Sequence, residues 1–136
     1  MTRERILIVD DEPDMVENCQ RILGRAGYRC LTATDPRGAL ALLESERPDL
    51  LLTDLKMPGM DGMELLRHAR QVDHEMPVII LTAFATIESA VAAVRAGAFD
   101  YLSKPFSADH LALAVDRALK QRRLALENLR LREQLQ

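Results

Sequence analysis

Short runs of consecutive apolar residues alternate, as far as Lys120, with longer stretches in which apolar residues recur every three or four positions. RILIV (5–9), DLLLT (49–53) and PVIIL (77–81) are continuous apolar runs, the pattern of parallel strands buried on both faces. YRCLTA (28–33) and FDYLS (99–103) are weaker strand candidates. Helical spacing joins Met15, Cys19, Ile22, Leu23 and Ala26 ahead of Gly27, then Ala39, Leu42 and Leu43, then Met63, Leu66 and Ala69. A fourth helical stretch joins Ile87, Ala90, Val91 and Val94 ahead of Gly97. The result is five strand-then-helix units. Strict alternation predicts an α/β fold with a parallel sheet covered by helices on both faces, because parallel strands need crossover connections.

The last unit is the longest. Residues 107–136 contain no Pro or Gly and are rich in Ala, Leu, Arg and Glu, which predicts one long helix from about Ser107. Beyond Lys120 it is expected to run past the globular body. Ala112, Val115, Leu119, Arg122, Leu126, Leu129, Glu133 and Gln136 follow alternating spacings of three and four, while Leu124, Leu131 and Leu135 form a competing stripe. This is an imperfect heptad. A Leu-rich helix exposed alone is marginal in water, which calls for a partner. The basic run KQRR (120–123) reads as a solvated helix face rather than a nucleic-acid contact.

Composition narrows the class. A chain of 136 residues, 48% hydrophobic and 29% charged, suits one domain with a sizeable core and leaves no room for a second. Its net charge of −3 lacks the basic balance of a nucleic-acid-binding surface. The N-terminal apolar run falls far short of the roughly 20 residues of a membrane span, and no signal-peptide pattern follows it. The expected location is therefore cytoplasmic, with no membrane partner. Cys19 and Cys30 show no CxxC spacing and read as reduced packing residues; His68, His74 and His110 read as scattered surface residues.

In an open parallel sheet, ligands bind outside the carboxyl ends of the strands. There the first run ends in Asp10 and Asp11, the third in Thr53 and Asp54, and the fourth in Thr82, while Lys104 follows the fifth. Carboxylates brought together repel, so some protonate or a cation sits among them. Mg²⁺, which takes one or two carboxylates with waters and a phosphate oxygen, suits this oxygen-rich set. With Lys104 as a mobile cation and Thr82 as a neutral donor, the set has the parts for phosphoryl transfer to a carboxylate, with Asp54 as nucleophile. Each residue alone has a plainer reading. Asp11 or Glu12 can sit near an N-cap with Pro13 in the first turn, Asp54 can end a strand before a Pro-Gly turn, and Lys104 can be solvated. Their convergence on one sheet edge is what favours a site.

The matched pieces ILIVDDEP, PDLLLTDLKMPGMDGMELL, PVIILTAFA and GAFDYLSKPF, in this order, make residues 4 to about 120 resemble the receiver domain of a two-component response regulator. The resemblance implies a flavodoxin-like (CheY-like), doubly wound sheet of strand order 2-1-3-4-5 with an extended C-terminal helix. It implies that Asp54 accepts phosphate from a phosphohistidine on a sensor histidine kinase. Asp10 and Asp11 then organise Mg²⁺, with Asp54 and the main-chain carbonyl of Lys56 as further ligands. Lys104 pairs with the phosphoryl group, and Thr82 turns towards it together with the switch residue Tyr101. Lys104-Pro105 is expected to be cis. Small Ala83 leaves the site open to donor and water, and Lys56 and Phe84 occupy places that in similar proteins tune the lifetime of the phosphoaspartate.

The implied organisation is a receiver at 1–120 and a helical linker or coiled-coil extension of the fifth helix at 121–136. TAFATIESAVAAVRAGAFDYLSKPF with the leucine-rich tail resembles the regulatory part of bacterial enhancer-binding activators of the nitrogen-regulator type. No GxxxxGK[ST] motif occurs in these residues, so an ATPase or a DNA-binding output domain, which this second resemblance implies, would belong to a segment outside them. The leading reading is a phosphorylation-controlled switch, not an enzyme beyond self-phosphorylation and autodephosphorylation. It dimerises through the C-terminal helix or the face of the fourth helix, fifth strand and fifth helix. One alternative is an Mg²⁺-dependent phosphatase working through an aspartyl-phosphate, against which position 56 is Lys rather than a second aspartate. The other is a constitutive dimerisation module with a vestigial pocket, against which stands the complete set of Asp54, Thr82 and Lys104.

Overall fold

The computed structural model describes residues 3–135. Its elements in chain order are β1 (Arg5–Val9), α1 (Pro13–Arg25), β2 (Arg29–Ala33), α2 (Pro36–Glu46) and β3 (Leu50–Thr53), followed by α3 (Gly62–Val72), β4 (Val78–Thr82), α4 (Ile87–Arg95), β5 (Asp100–Ser103) and α5 (Ala108–Gln134). The strands form one parallel sheet in the order β2-β1-β3-β4-β5, as the resemblance implies.

Burial accounts for the different strengths of the five strand patterns. Central β1, β3 and β4 are buried almost throughout, because both of their faces are covered. Edge strands β2 and β5 are half-exposed, so their apolar runs are broken by polar positions. Side chains alternate across the sheet. Leu7, Val9, Leu51, Val78 and Ile80 pack with α2, α3 and α4 on one face, and Ile6, Ile8, Leu50, Leu52, Ile79 and Leu81 pack with α1 and α5 on the other. Each such side chain contributes roughly 1.5–3 kcal/mol by leaving water. A surface ion pair contributes about 0–1 kcal/mol. The two apolar layers therefore hold the strand ends, and the residues just beyond them, in register.

The helices start where their caps dictate. Pro13 opens α1 directly after Glu12, and the side chains of Asp35, Asp61, Thr86 and Ser107 accept the N–H of the third residue of α2, α3, α4 and α5. Gly27 and Gly97, with φ of +99° and +107°, follow the ends of α1 and α4. One helix departs from the simple amphipathic picture. The stripe that announces α4 faces water: Ile87 is 85% exposed and Val94 60%, while the only fully buried residue of α4 is Ala93. Small side chains bring α4 close to the sheet, and the large apolar ones are left outside.

Helix α5 buries Leu111, Ala114, Val115, Ala118 and Leu119, and nothing after them. It does not leave the body at Lys120, because Arg122 reaches Asp49 (Nε, 3.5 Å) and Asp73 (Nη1, 3.0 Å), and Arg123 pairs with Glu4. Arg122, its side chain 10% exposed, is thus withdrawn from the solvated face expected of the basic run, while Arg123 is ion-paired but stays exposed, as do Lys120 and Gln121. Leu124, Leu126, Leu129, Leu131 and Leu135 are exposed; Gln136, the last heptad position, lies outside the described residues. Cys19 is buried and Cys30 half-buried, both as free thiols, and His68, His74 and His110 are exposed. No helix among the described residues is long and apolar enough to cross a membrane.

Candidate functional site

Parallel pairing brings the carboxyl ends of β1, β3, β4 and β5 to one edge. The backbone continues the ladder there: Asp54 N–H donates to Val9 O at 3.0 Å, and Lys104 N–H donates to Thr82 O at 2.9 Å. These bonds set Asp10, Asp54, Thr82 and Lys104 side by side above the sheet. Asp10 is 3% exposed and Asp54 5%, while Asp11 faces solvent.

The centre of the arrangement is Lys104. Its ammonium donates to Asp10 Oδ2 at 2.6 Å and to Asp54 Oδ2 at 3.3 Å, with the lysine side chain itself only 9% exposed. Burial alone lowers a lysine pKa. Here the bond to Asp10 and the charges of Asp10 and Asp54 outweigh burial, so the net shift is upward and the site holds a fixed cation. The Lys104-Pro105 peptide is cis. Carboxylate oxygens of Asp10, Asp11 and Asp54 all lie within 4.8 Å of one another. Counting formal charges, three carboxylates and one ammonium leave two negative charges without a partner. A set of hard oxygen donors with excess negative charge and no soft ligand fits Mg²⁺.

The surrounding backbone aims the carboxylates. Glu12 N–H donates to Asp10 Oδ1 at 3.0 Å, and Lys56 N–H approaches Asp54 Oδ1 at 3.4 Å. Thr53 Oγ1 donates to Asp54 O at 3.0 Å, tying down the end of β3. The Lys56 side chain turns away over the Phe84 ring, with Nζ 4.9 Å from its centroid, so the two flank the mouth of the site. Thr82 is fully buried, and its Oγ1 accepts from Phe84 N–H at 3.1 Å, which leaves its own hydrogen available.

The structure thus brings Asp10, Asp11, Asp54 and Lys104 together, with Thr82 and Lys56 beside them. Tyr101 stands apart. It is half-buried on β5, and its hydroxyl lies 2.5 Å from Ser89 Oγ on α4 rather than against Thr82. Two further residues shape the site without a sequence signal of their own. Ser89 looks like any polar residue in a first helical turn. Gly62 looks like part of a turn, yet a Cβ there would stand 2.2 Å from Asp54 O and 2.9 Å from Leu55 Cα.

The family described as the response regulator receiver domain matches residues 6–116. Over 128 residues the chain is 41% identical to the C4-dicarboxylate transport transcriptional regulatory protein DctD of Pseudomonas aeruginosa, covering 94% of this chain and 28% of that protein. Over 119 residues it is 43% identical to the DNA-binding transcriptional regulator NtrC of Salmonella typhimurium, covering 88% and 25%. The crystal structure of NtrX from Brucella abortus in complex with ADP matches with a TM-score of 0.90 at 37% identity, covering 96% of this chain and 30% of that one. The chain spans about a quarter of the length of these curated relatives.

Proposed function

The chain belongs to the response regulator receiver domain family, and from that premise we propose that it is a phosphorylation-controlled switch whose acceptor is Asp54. One observation carries the assignment. The Lys104 ammonium bonds both Asp10 and Asp54 inside a cluster of three carboxylates at the strand ends. Such a cluster is costly to assemble unless a cation is to be received there, as acceptance of an anionic phosphoryl group requires.

In the proposed reaction, one Asp54 oxygen attacks the phosphorus of a phosphohistidine on a sensor kinase. The P–N bond breaks with its electron pair going to the imidazole, which takes a proton from solvent, and an acyl phosphate remains on Asp54. Lys104 transfers its bond from the carboxylates to a phosphoryl oxygen, and Thr82 supplies its free hydroxyl hydrogen to another. Asp10, Asp11, Asp54 and the main-chain carbonyl of Lys56 would hold Mg²⁺, which when bound offsets the negative charge gathered on carboxylate and phosphoryl oxygens. Thr82 moving towards the phosphoryl group vacates space that Tyr101 follows, repacking α4, β5 and α5 as a population shift.

The output follows from what is left exposed. Ile87, Val91 and Val94 on α4 and the leucines beyond Arg123 on α5 are unpartnered apolar surfaces, and a second copy of the chain is the proposed occupant. Residues 1–120 act as the receiver and 121–136 as the helical link to an output domain. In relatives named as transcriptional regulators, that comparison supports control of transcription through such a domain. The test is intact mass after incubation with a small phosphodonor, with and without Mg²⁺, beside Asp54→Asn. One added phosphate that needs Mg²⁺ and disappears in the variant is expected; uptake by Asp54→Asn equal to wild type rejects the acceptor.

A further inference from the structure

The first turn of α4 is built around a single oxygen. Thr86 is the N-cap: its Oγ1 accepts from Ser89 N–H at 3.0 Å, and its own N–H donates back to Ser89 Oγ at 3.1 Å, a reciprocal capping box. Ser89 Oγ also lies 2.9 Å from Thr86 Oγ1, 3.1 Å from Thr86 O and 2.5 Å from Tyr101 OH. A serine hydroxyl donates one hydrogen bond and accepts two. Four neighbours therefore compete for three places: Thr86 N, Thr86 Oγ1, Thr86 O and Tyr101 OH.

We infer that Ser89 is a positioning residue that latches Tyr101 in the resting arrangement and exchanges that bond for a completed α4 cap when Tyr101 moves. With Tyr101 in place, the Ser89 hydroxyl is divided between the tyrosine and the cap. Once Tyr101 leaves, the Ser89 hydrogen is free for Thr86 O, and every remaining partner is served. The bond lost at Tyr101 is offset by one gained within the turn, so the two arrangements lie close in free energy. That is the condition for a small input at Asp54 to shift their populations.

The setting permits the exchange. Among the nine residues of α4 only Ala93 is fully buried, so little apolar contact holds the helix. A hollow of about 260 Å³, lined by Leu55, Lys56, Asp61, Met63, Ser89 and Ala92, separates α4 from the loop that carries Asp54. The first turn of α4 can shift without meeting that loop. Ser89 thereby joins α4 to β5 through one hydroxyl, at the edge of the hollow that faces the Asp54 loop.

The inference rests on the proposed switch, and its test separates the two. The chain has two tyrosines, so ¹³C-tyrosine labelling yields two ring signals, which Tyr28→Phe assigns. Ser89→Ala is expected to move the Tyr101 Cζ resonance and to raise the rate of Mg²⁺-dependent phosphate gain about two- to threefold, the low end of one net hydrogen bond. Ser89→Thr, which keeps the hydroxyl, should restore both values. Thr86→Ala removes the cap but not the latch, so it should lower the thermal midpoint without reproducing the Ser89→Ala shift at Tyr101 Cζ. A Tyr101 resonance identical in wild type and Ser89→Ala overturns the latch, as does a Thr86→Ala variant that reproduces the Ser89→Ala shift. If wild type gains no phosphate, the switch reading fails, while the Tyr101 resonance still decides whether the latch exists.

Discussion

Gly62 is the position where the structure makes its sharpest demand. It opens α3, and its N–H donates to Leu55 O at 2.6 Å, so the helix starts in contact with the strand exit that carries Asp54. In Gly62→Ala the new Cβ would fall 2.2 Å from Asp54 O, 2.9 Å from Leu55 Cα and 3.1 Å from Asp54 C, all of them backbone atoms. A carbon and a carbonyl oxygen in contact sit about 3.3 Å apart, so something must move by roughly 1 Å. Helix α3 cannot slide freely, because Leu65, Leu66 and Ala69 are fully buried. Overpacking of this kind costs about 3 kcal/mol, and the backbone gain of Ala over Gly returns up to about 1 kcal/mol. The expected net loss is about 2 kcal/mol. Gly24 in α1 has nothing within 4 Å of a Cβ, so Gly24→Ala should gain about 0.5 kcal/mol from the same backbone effect. Urea unfolding of both variants, with unchanged m-values, isolates the difference. Gly62→Ala should also take up phosphate more slowly, because the loop bearing Asp54 is displaced. Equal stability of the two alanine variants would refute the close-approach argument.

The remaining predictions test the pocket, the core and the tail. Lys104→Ala removes the ammonium that bonds the Asp10 and Asp54 carboxylates, so Mg²⁺ should raise its melting temperature more than that of wild type; an equal rise in thermal-shift titrations would contradict the charge count. The variant should still accept some phosphate by mass, but without the downstream change in oligomeric state. Burial, and then the charge of Asp10, pushes the Cys19 thiol up from 9.0 to about 12. Native Cys19 should thus resist alkylation at pH 8 while half-buried Cys30 reacts first, as peptide mapping will show. Because the folded pKa lies above the unfolded one, this group's contribution to stability is complete below pH 9 and is lost as pH rises towards 12. Truncation after Ala125 keeps Arg122 and Arg123 on the body and removes no buried residue of α5. It should leave the unfolding free energy within about 0.5 kcal/mol of wild type while weakening self-association by sedimentation; a full-length chain that stays monomeric with and without phosphate would remove the case for the tail.

How legible each part was in the sequence follows from how it is held. β1, β3 and β4 are covered on both faces, and nothing but a continuous apolar run survives there, so their ends, and with them Asp10, Asp11, Asp54 and Thr82, could be placed by counting. Lys104 follows the short edge strand β5 and was placed by the same rule. Arg122 gives no such signal, because an arginine in a basic run looks the same whether it is solvated or bridges Asp49 and Asp73; the bridge joins residues far apart in sequence. The Ser89–Tyr101 contact was invisible for a similar reason, since two hydroxyls twelve positions apart leave no periodicity.

Helix α4 forms where the spacing predicts it, but its apolar stripe turns outward: Ile87, Val91 and Val94 face water and only Ala93 of the helix is fully buried. On the proposed switch, α4 shifts when charge arrives at Asp54, and several fully buried leucines, each holding it by roughly 1.5–3 kcal/mol, would together oppose that shift. That is more than the few kcal/mol by which a local contact biases a two-state equilibrium. Weak anchoring through Ala93, a shared hydroxyl at Ser89 and an outward apolar stripe are thus one arrangement. The contacts that hold α4 are too few to leave a strong pattern, and the residues that do form one lie exposed.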